Sequence, residues 1–390
     1  MNNKQFKQTR KILCENHSVE VLKIDDKVFN EAQVDSVILL NYGKNINEYN
    51  KYKSFQLSEG KLELLSETSI ENILSEEQYT FRLEISDNFD YLIKKIEENS
   101  ILVSQIAEVK DGIVAGVIKD ILFINDKIND NCEKLYFGKH ISKYYLNNTD
   151  VWVNYMPNEM MREEKKRKRD KRIGLWMRDK KIFEREKIIY RKVGKELIAT
   201  FAQKGIYYEQ TAHSCHVTNK KFHHKYILCI FNSNLFKFYY HKTNSQGGNI
   251  FPQLRISSIK KLPIKQINIV EQNKFIEKAD LMLFLNKVFQ TDKDNFLQTL
   301  REEKSLLKLS RKLQNFHNME FDEFKKELRK KKVKFSLGTE NNEWREYFEK
   351  TKEKINHLQI QIDKTDKIID KMVYELYKLN EEEIKIICEN

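Results

Sequence analysis

A heptad seam runs through the last third of the 390-residue chain. Ile355, Leu358, Ile362, Thr365, Ile369, Met372, Leu376 and Leu379 alternate in steps of three and four, with Thr365 the only polar member. Apolar residues at this spacing form one stripe on an α-helix, and so long a stripe must be buried against another helix. No proline interrupts residues 271–390, so this whole stretch reads as helical. A shorter series, Leu306, Leu309, Leu313 and Phe316, precedes the seam, and Lys330–Asn342, which contains Gly338, can turn the chain between them. An antiparallel helical hairpin is the simplest account; a seam to a second copy or another protein is the alternative.

Glycine and proline are scarce, at 11 and 3 residues, which excludes collagen-like, Pro-rich and Gly/Ser-linker architectures. With 40% hydrophobic and 33% charged residues, the chain has the composition of a highly charged globular protein. Lys+Arg 70 against Asp+Glu 58 leaves a net charge of +12. That surplus favours a polyanionic partner, nucleic acid first and an anionic membrane face second. The longest apolar run, Tyr226–Phe231, is strand-sized and far short of the ~18 residues a membrane span needs. No apolar stretch follows the basic start MNNKQFKQTRKIL, and the five cysteines (14, 132, 215, 229 and 388) contain no C-x-x-C. The expectation is a cytoplasmic chain without disulfides or membrane association.

Three zones follow from the pattern. In residues 1–97, Lys4–Glu15 has helical spacing and Val19–Ile24 alternates like a half-buried strand. Val34–Leu40 (VDSVILL) has the pattern of a strand covered on both faces, and Tyr79–Ile85 reads as another strand. So small a sheet cannot bury its own faces. Residues 98–270 hold all three prolines and short strand-like segments at Ile121–Asn125, Lys187–Lys192, Ile198–Phe201 and His224–Phe231. Residues 271–390 are the helical tail. The fold class expected is mixed α+β.

The middle zone carries the candidate binding residues. Arg162–Lys181 contains eleven Lys/Arg against Glu163, Glu164, Asp170 and Asp179, with Trp176 and Met177 inside it. Such density gains affinity for phosphates through counterion release, although a solvated helix face or a tether has the same composition. His213, Cys215, His216, His223 and His224 crowd together, but their spacing matches no structural-zinc pattern. On a strand, His223 and His224 would point to opposite faces. They read as polar residues bordering a basic surface, and no metal is expected. Nucleophile-elbow, P-loop, H-E-x-x-H and G-x-G motifs are absent, and no two prolines are adjacent.

Several segments together resemble the C-terminal part of adenine-N6 DNA methyltransferases and fused restriction–modification enzymes, with their TaqI-like C-terminal specificity domain. VKDGIVAGVIKDILFI (Val109–Ile124) is similar to that family's opening segment. LYFGKHISKYY (Leu135–Tyr145) resembles its "G-x-[DE]-I-x-x-Y" segment, with His140 at the acidic position. FEREKIIYRKVGKELIATF (Phe183–Phe201) resembles a strand pair, and KYILCIFNSNLFKFYY (Lys225–Tyr240) the "LNS" helix. GGNIFPQLRISSIKKLPI (Gly247–Ile264) is the most specific match, and Ile369–Ile387 is similar to the closing tail. Arg10–Leu40 resembles the stretch after the catalytic motif of the methyltransferase domain.

In that family a glycine-rich S-adenosylmethionine loop and an N-P-P-Y tetrapeptide, which holds the flipped adenine, stand upstream of the strand matched by Val34–Leu40. Only residues 1–33 precede that strand here, and they contain neither. The resemblance therefore implies three parts: residues 1–97, a trailing fragment of a Rossmann-like methyltransferase sheet; residues 98–270, an α/β target-recognition domain; and residues 271–390, a helical hairpin or coiled coil. It implies recognition of double-stranded DNA for adenine-N6 methylation in a restriction–modification system, one arm of phage defence. S-adenosylmethionine and catalysis are expected on a separate methyltransferase chain, with no cofactor and no catalytic residue in this one. Expected DNA contacts are Arg162, Lys165, Lys166, Arg167, Lys168, Arg169, Lys171, Arg172 and Arg191 for the backbone. Gln210, His213, His216, Asn219, Lys220, Lys221, Gln253 and Arg255 stand in loops with donors and acceptors of the kinds used on bases. A type I specificity subunit, and a helical interaction protein with a basic loop for RNA or membrane, are the alternatives.

Overall fold

The computed structural model describes residues 4–15, 19–24, 36–42, 51–58, 60–75, 79, 81, 87–167, 174–194, 196–244, 253–333 and 338–389. Near the N-terminus, α1 (Lys7–Glu15) precedes β1 (Val19–Ile24), β2 (Ser36–Asn41), β3 (Lys51–Ser58) and β4 (Lys61–Ser69). They form one sheet in the order β2-β1-β3-β4, with β1 parallel to β3 and its other pairs antiparallel. Alternation in β1 sends Val19 and Val21 to a core with Cys14, Tyr52 and Phe81, closed by Ile70 and Ile73 of α2 (Ile70–Leu74). The expectation for Val34–Leu40 is corrected over its described part: among the described residues β2 is an edge strand, and Val37, Ile38 and Leu40 are exposed. An apolar run announces a strand, but its neighbours decide how much of it is covered. Tyr79 and Phe81 are outside any strand, and the rest of Tyr79–Ile85 lies outside the described residues.

After α3 (Asp87–Glu97), the middle of the chain is a set of small sheets. Its first elements are β5 (Ser100–Leu102), α4 (Val103–Ile106), β6 (Ala107–Asp111), β7 (Val114–Ala115), α5 (Lys119–Leu122) and β8 (Phe123–Ile124). Then come β9 (Cys132–Tyr136), β10 (Ile141–Ser142), β11 (Tyr145–Leu146), β12 (Trp152–Asn154) and α6 (Pro157–Arg167). Next are β13 (Leu175–Trp176), β14 (Lys187–Arg191), β15 (Ala199–Ala202), β16 (Tyr207–Tyr208) and β17 (Ala212–Val217). The principal sheet is antiparallel, in the order β15-β14-β17-β6. A second sheet has the order β16-β9-β12-β8, and β13 pairs with β7.

Strand β14 separates two cores. Ile189 faces Leu135, Val153, Phe183 and Tyr207, whereas Ile188 and Tyr190 face Tyr226, Leu228 and Phe231. That two-sided burial explains why its sequence, KIIYR, shows no alternation. Lys187 is buried at its start, where its ammonium donates to the carbonyls of Phe183, Arg185 and Gln203 at 2.8, 3.0 and 3.2 Å.

His224–Phe231 is helix α7 rather than a strand. Its apolar run is buried on all sides, so no periodicity distinguishes the two; the caps do. His223 Nδ1 accepts the Lys225 N–H at 3.2 Å, and the helix ends at Asn232. Ser233 then caps α8 (Asn234–Thr243), and α9 (Ile256–Ile259) leads to β18 (Pro263–Lys265), which pairs with β5.

The tail comprises α10 (Ile269–Glu303), α11 (Arg311–Gln314), α12 (Phe321–Arg329), α13 (Thr339–Leu376) and α14 (Glu381–Glu389). It contains the expected antiparallel hairpin with a different partner. The seam helix α13 pairs with α10, as the ion pairs Lys354–Asp292 (2.9 Å) and Lys304–Glu340 show. Leu306, Leu309, Leu313 and Phe316 do not form a helix opposite the seam; the last three join a compact aromatic core at the hairpin tip. The seam runs from Ile355, in that tip core, to Leu358, Ile362 and Ile369, in the core shared with the middle of the chain. Thr365 is tolerated because its hydroxyl donates to the Gln361 carbonyl at 2.8 Å. Leu379 lies beyond the end of the helix.

Candidate nucleic-acid interface

The basic segment is anchored through a residue that its charge count treats only as a neutraliser. Met160 and Glu164, four residues apart, share the inward face of α6, and Glu164 is 0% exposed. Its carboxylate accepts the N–H groups of Val117 (2.8 Å) and Gly174 (3.0 Å). Gly116, at φ +58°, makes room, since a Cβ there would run into that carboxylate. The outward face presents Arg162, Lys165, Lys166 and Arg167 to solvent. Lys166 pairs with Glu163, and Arg167 makes a two-pronged contact with Asp120 at 2.7 and 2.9 Å. The helix is thus a docked cationic face rather than a tether. Lys168, Arg169, Lys171 and Arg172 lie outside the described residues.

Just beyond stands Trp176, a large side chain left 56% exposed. The Arg178 guanidinium lies 4.7 Å from its ring centroid and is itself fixed. Arg178 Nε donates to the Gly112 carbonyl at 2.8 Å, and its Nη2 to Asp111 at 3.1 Å. Gly112 itself lies against the backbone at Glu209, whose carbonyl a Cβ would strike. Arg178 also holds φ at +64°, a conformation that costs a non-glycine residue about 1–2 kcal/mol. Beside it opens a groove lined by Glu108, Lys110, Asp111, Asp179, Lys181 and Arg185. Arg185 donates to Glu108 at 2.7 Å, and Lys110 reaches the same carboxylate at 3.5 Å. A rigid aromatic with a cation on its face, next to a cationic helix, can stack on a sugar or base and hold a phosphate.

Two of the expected base contacts are corrected. His213 and His216 are 3% and 1% exposed on β17, because its pairing with β14 and β6 buries that strand. His213 Nε2 lies 3.3 Å from Asp111 Oδ1. Burial alone would raise the Asp111 carboxyl, but the His213 hydrogen bond and the Lys192 and Arg178 charges hold it below its ordinary range. His216 meets the Ser214 hydroxyl at 2.7 Å, and Ser214 the Tyr208 hydroxyl at 2.5 Å. Burial, helped by Arg185, Lys187 and His224, pushes the His216 imidazole down to about 3.

The remaining expected residues fall on separate elements. Arg191 is half-buried and donates to the Ile141 carbonyl at 2.5 Å. Gln210 is half-buried too, its N–H on the Ile113 carbonyl at 2.9 Å. Asn219 folds its side chain onto the Lys221 N–H at 3.0 Å, leaving Lys220 and Lys221 exposed at the turn before α7. Gln253 and Arg255 are exposed around a bridge between Gln253 and Val193. Among the described residues no group of three His, Cys, Asp or Glu could hold a metal, and no helix is long and apolar enough to cross a membrane. The sequence pattern does not reveal Trp176, Arg178 and Glu164 as site builders. Trp176 stands out by composition, but neither the turn at Arg178 nor the burial of Glu164 has a local signature.

No curated protein matches the chain. Residues 268–373 match a family described as a domain of unknown function (DUF8810). Solved structures that match include the Type IIL restriction–modification enzyme MmeI in complex with DNA, at 8% identity and a TM-score of 0.47. The type IIG restriction endonuclease BpuSI matches at 14% identity and a TM-score of 0.35. A Type-I restriction–modification S subunit from M. genitalium matches at 13% identity and a TM-score of 0.30. They cover 96%, 97% and 59% of this chain, which spans less than half of theirs (45%, 46% and 47%). With TM-scores below 0.5, none of these three likenesses carries a functional conclusion. The informative match is to the family of TaqI-like C-terminal specificity domains, over residues 133–264, which takes in α6, the Trp176–Arg178 pair and strands β14 to β17. Residues 133–264 of this chain are therefore similar to TaqI-like C-terminal specificity domains.

Proposed function

We propose that this chain selects the site on double-stranded DNA at which a restriction–modification system methylates adenine at N6, and that a separate polypeptide carries out the transfer. The observation that carries the reading is the coincidence of the specificity-domain match, residues 133–264, with a cationic helix and a pinned, exposed tryptophan. In this reading phosphate contacts from Arg162, Lys165 and Lys166 set the register, and the Trp176–Arg178 pair and the exposed Lys220, Lys221, Gln253 and Arg255 are assigned to groove or sugar.

S-adenosylmethionine belongs to the other chain in this reading. Residues 1–97 contain only Gly43 and Gly60, and Gly60 sits in the tight β3–β4 turn at φ +75°. The backbone cradle that cofactor needs does not fit them, so its chemistry is assigned to the partner. Incubated alone with labelled cofactor and plasmid, the chain should transfer no label; robust incorporation would overturn the division of labour. For DNA contact, Arg162→Gln/Lys165→Gln/Lys166→Gln is expected to weaken duplex binding about tenfold and to flatten the salt dependence by roughly two to three units of slope. Unchanged affinity and slope would remove α6 from the interface.

A further inference from the structure

The hairpin tip carries a second cationic surface, far from α6 in sequence. Here Phe296, Phe316, Phe321, Phe324 and Phe348 pack into a core of their own, so the tip is a rigid body rather than a frayed loop. On α12 the buried face is Phe321, Phe324 and Leu328, which leaves Lys326 and Arg329 outward. Arg311 and Lys312 of α11 join them, tied across by Lys312 to Glu323 and Glu327, each at 3.9 Å. Lys330 also reaches Glu327, at 2.6 Å. The other carboxylates nearby are engaged elsewhere: Glu320 by Lys352, and Asp322 by Lys325 and Arg345. A surplus of positive charge therefore stays on one surface, and Lys331 and Lys332 extend it.

The backbone supplies a second observation. Lys332 closes α12 at φ +63°, with its N–H on the Arg329 carbonyl at 2.9 Å and the Val333 N–H returning to Leu328 at 3.1 Å. Glycine is the residue that adopts this left-handed cap without strain, and helix ends usually place it there. A lysine accepts the strain and adds a fourth consecutive cation after Arg329, Lys330 and Lys331.

We infer that this tip surface is a second phosphate-contacting site that grips the same duplex beyond the stretch held by the specificity domain. The inference rests on the DNA-recognition function proposed for the chain. Its geometry comes from α10, which is 35 residues long. Its first half packs on the specificity-side core through Phe275, Ala279, Met282 and Leu285, and its last turns build the tip core through Phe296, Leu297 and Leu300. Phe289 touches both cores, and from Ala279, within the specificity-side contact, to Glu303 the helix advances about 36 Å, roughly 10 base pairs at 3.4 Å each. The tip extends the protein's footprint without reading bases, since a lysine–arginine surface of this kind recognises charge and spacing.

The test measures binding of the full chain to a duplex of about 40 base pairs and to one of about 12, across a salt series. Lys326→Gln/Arg329→Gln/Lys331→Gln is expected to weaken binding to the long duplex about tenfold, lower its salt slope by two to three units, and leave the short duplex unaffected. Equal binding by the native and variant chains to the long duplex, or equal losses on both, overturns the second site. If the native chain binds neither duplex, it is the recognition reading that fails. Lys332→Gly separates strain from function: its melting temperature should rise while its affinity for the long duplex falls. A rise in stability with unchanged affinity would make Lys332 merely structural and count against the proposal.

Discussion

Replacing Glu164 by alanine is expected to weaken duplex binding by about a hundredfold, although it removes a negative charge from the basic segment. On charge alone the variant should bind more tightly, because one fewer carboxylate faces the phosphates. The structure reverses that expectation. Glu164 is buried, and its carboxylate satisfies the N–H groups of Val117 and Gly174. Alanine removes the shared acceptor of two donors, of which Val117 is half exposed and Gly174 partly buried, so water replaces it only in part and the loss is about 1 kcal/mol each. The affected elements are α6 itself and the Gly116–Val117 turn on which it sits, so the cations of the helix lose their common orientation. Binding them to phosphate then requires ordering the helix first, which is why the loss exceeds that of deleting three cations from a helix that stays docked. Affinity at two salt concentrations, with circular dichroism to verify the rest of the fold, decides the matter. Tighter binding by Glu164→Ala would mean that the segment acts as a tether after all.

The second large effect is on acid stability. His216 is pushed down to about 3, and His224 and His317 each to about 4, in every case chiefly by burial and then by neighbouring cations. Unfolded histidines titrate near 6.5. Between that value and about 4, the unfolded chain binds three protons that the folded chain refuses, so stability falls as pH falls through this window. Asp370 works in the opposite direction, because burial beneath α8 raises its carboxyl to about 6 while the Asn234 N–H opposes the rise. It is one group against these three, and His140 and His223, also lowered chiefly by burial, act with the three. The net loss from pH 7 to pH 4.5 is on the order of 4 kcal/mol, read as a shift of the urea midpoint. His216→Gln should recover about 2 kcal/mol of that difference. A midpoint indifferent to pH over this range would show that the imidazoles take up protons without unfolding.

Much of the architecture can be read from the residues because it is local. The alternation of Val19–Ile24 and the apolar KIIYR run identify β1 and β14, and the steps of three and four identify α13. Motif order along the chain identifies the specificity domain. The errors have one origin. The apolar run His224–Phe231 reads equally well as helix or strand once it is buried on all sides, and only the His223 cap and the surrounding core decide. Val34–Leu40 looks doubly covered, but it became an exposed edge because no further strand lies beside it among the described residues.

The residues alone set the periodicity, the charge surplus and the family of residues 133–264, each carried by neighbours within a few positions or by fixed motif spacing. Packing in three dimensions decided which polar residues face water. It drew His213 and His216 inside, left Trp176 outside under Arg178, turned Glu164 into an anchor and paired the seam with α10 instead of Leu306–Phe316. The physical reason is that burial and pairing depend on segments distant in the chain, and their free energies are set by what arrives on the other side.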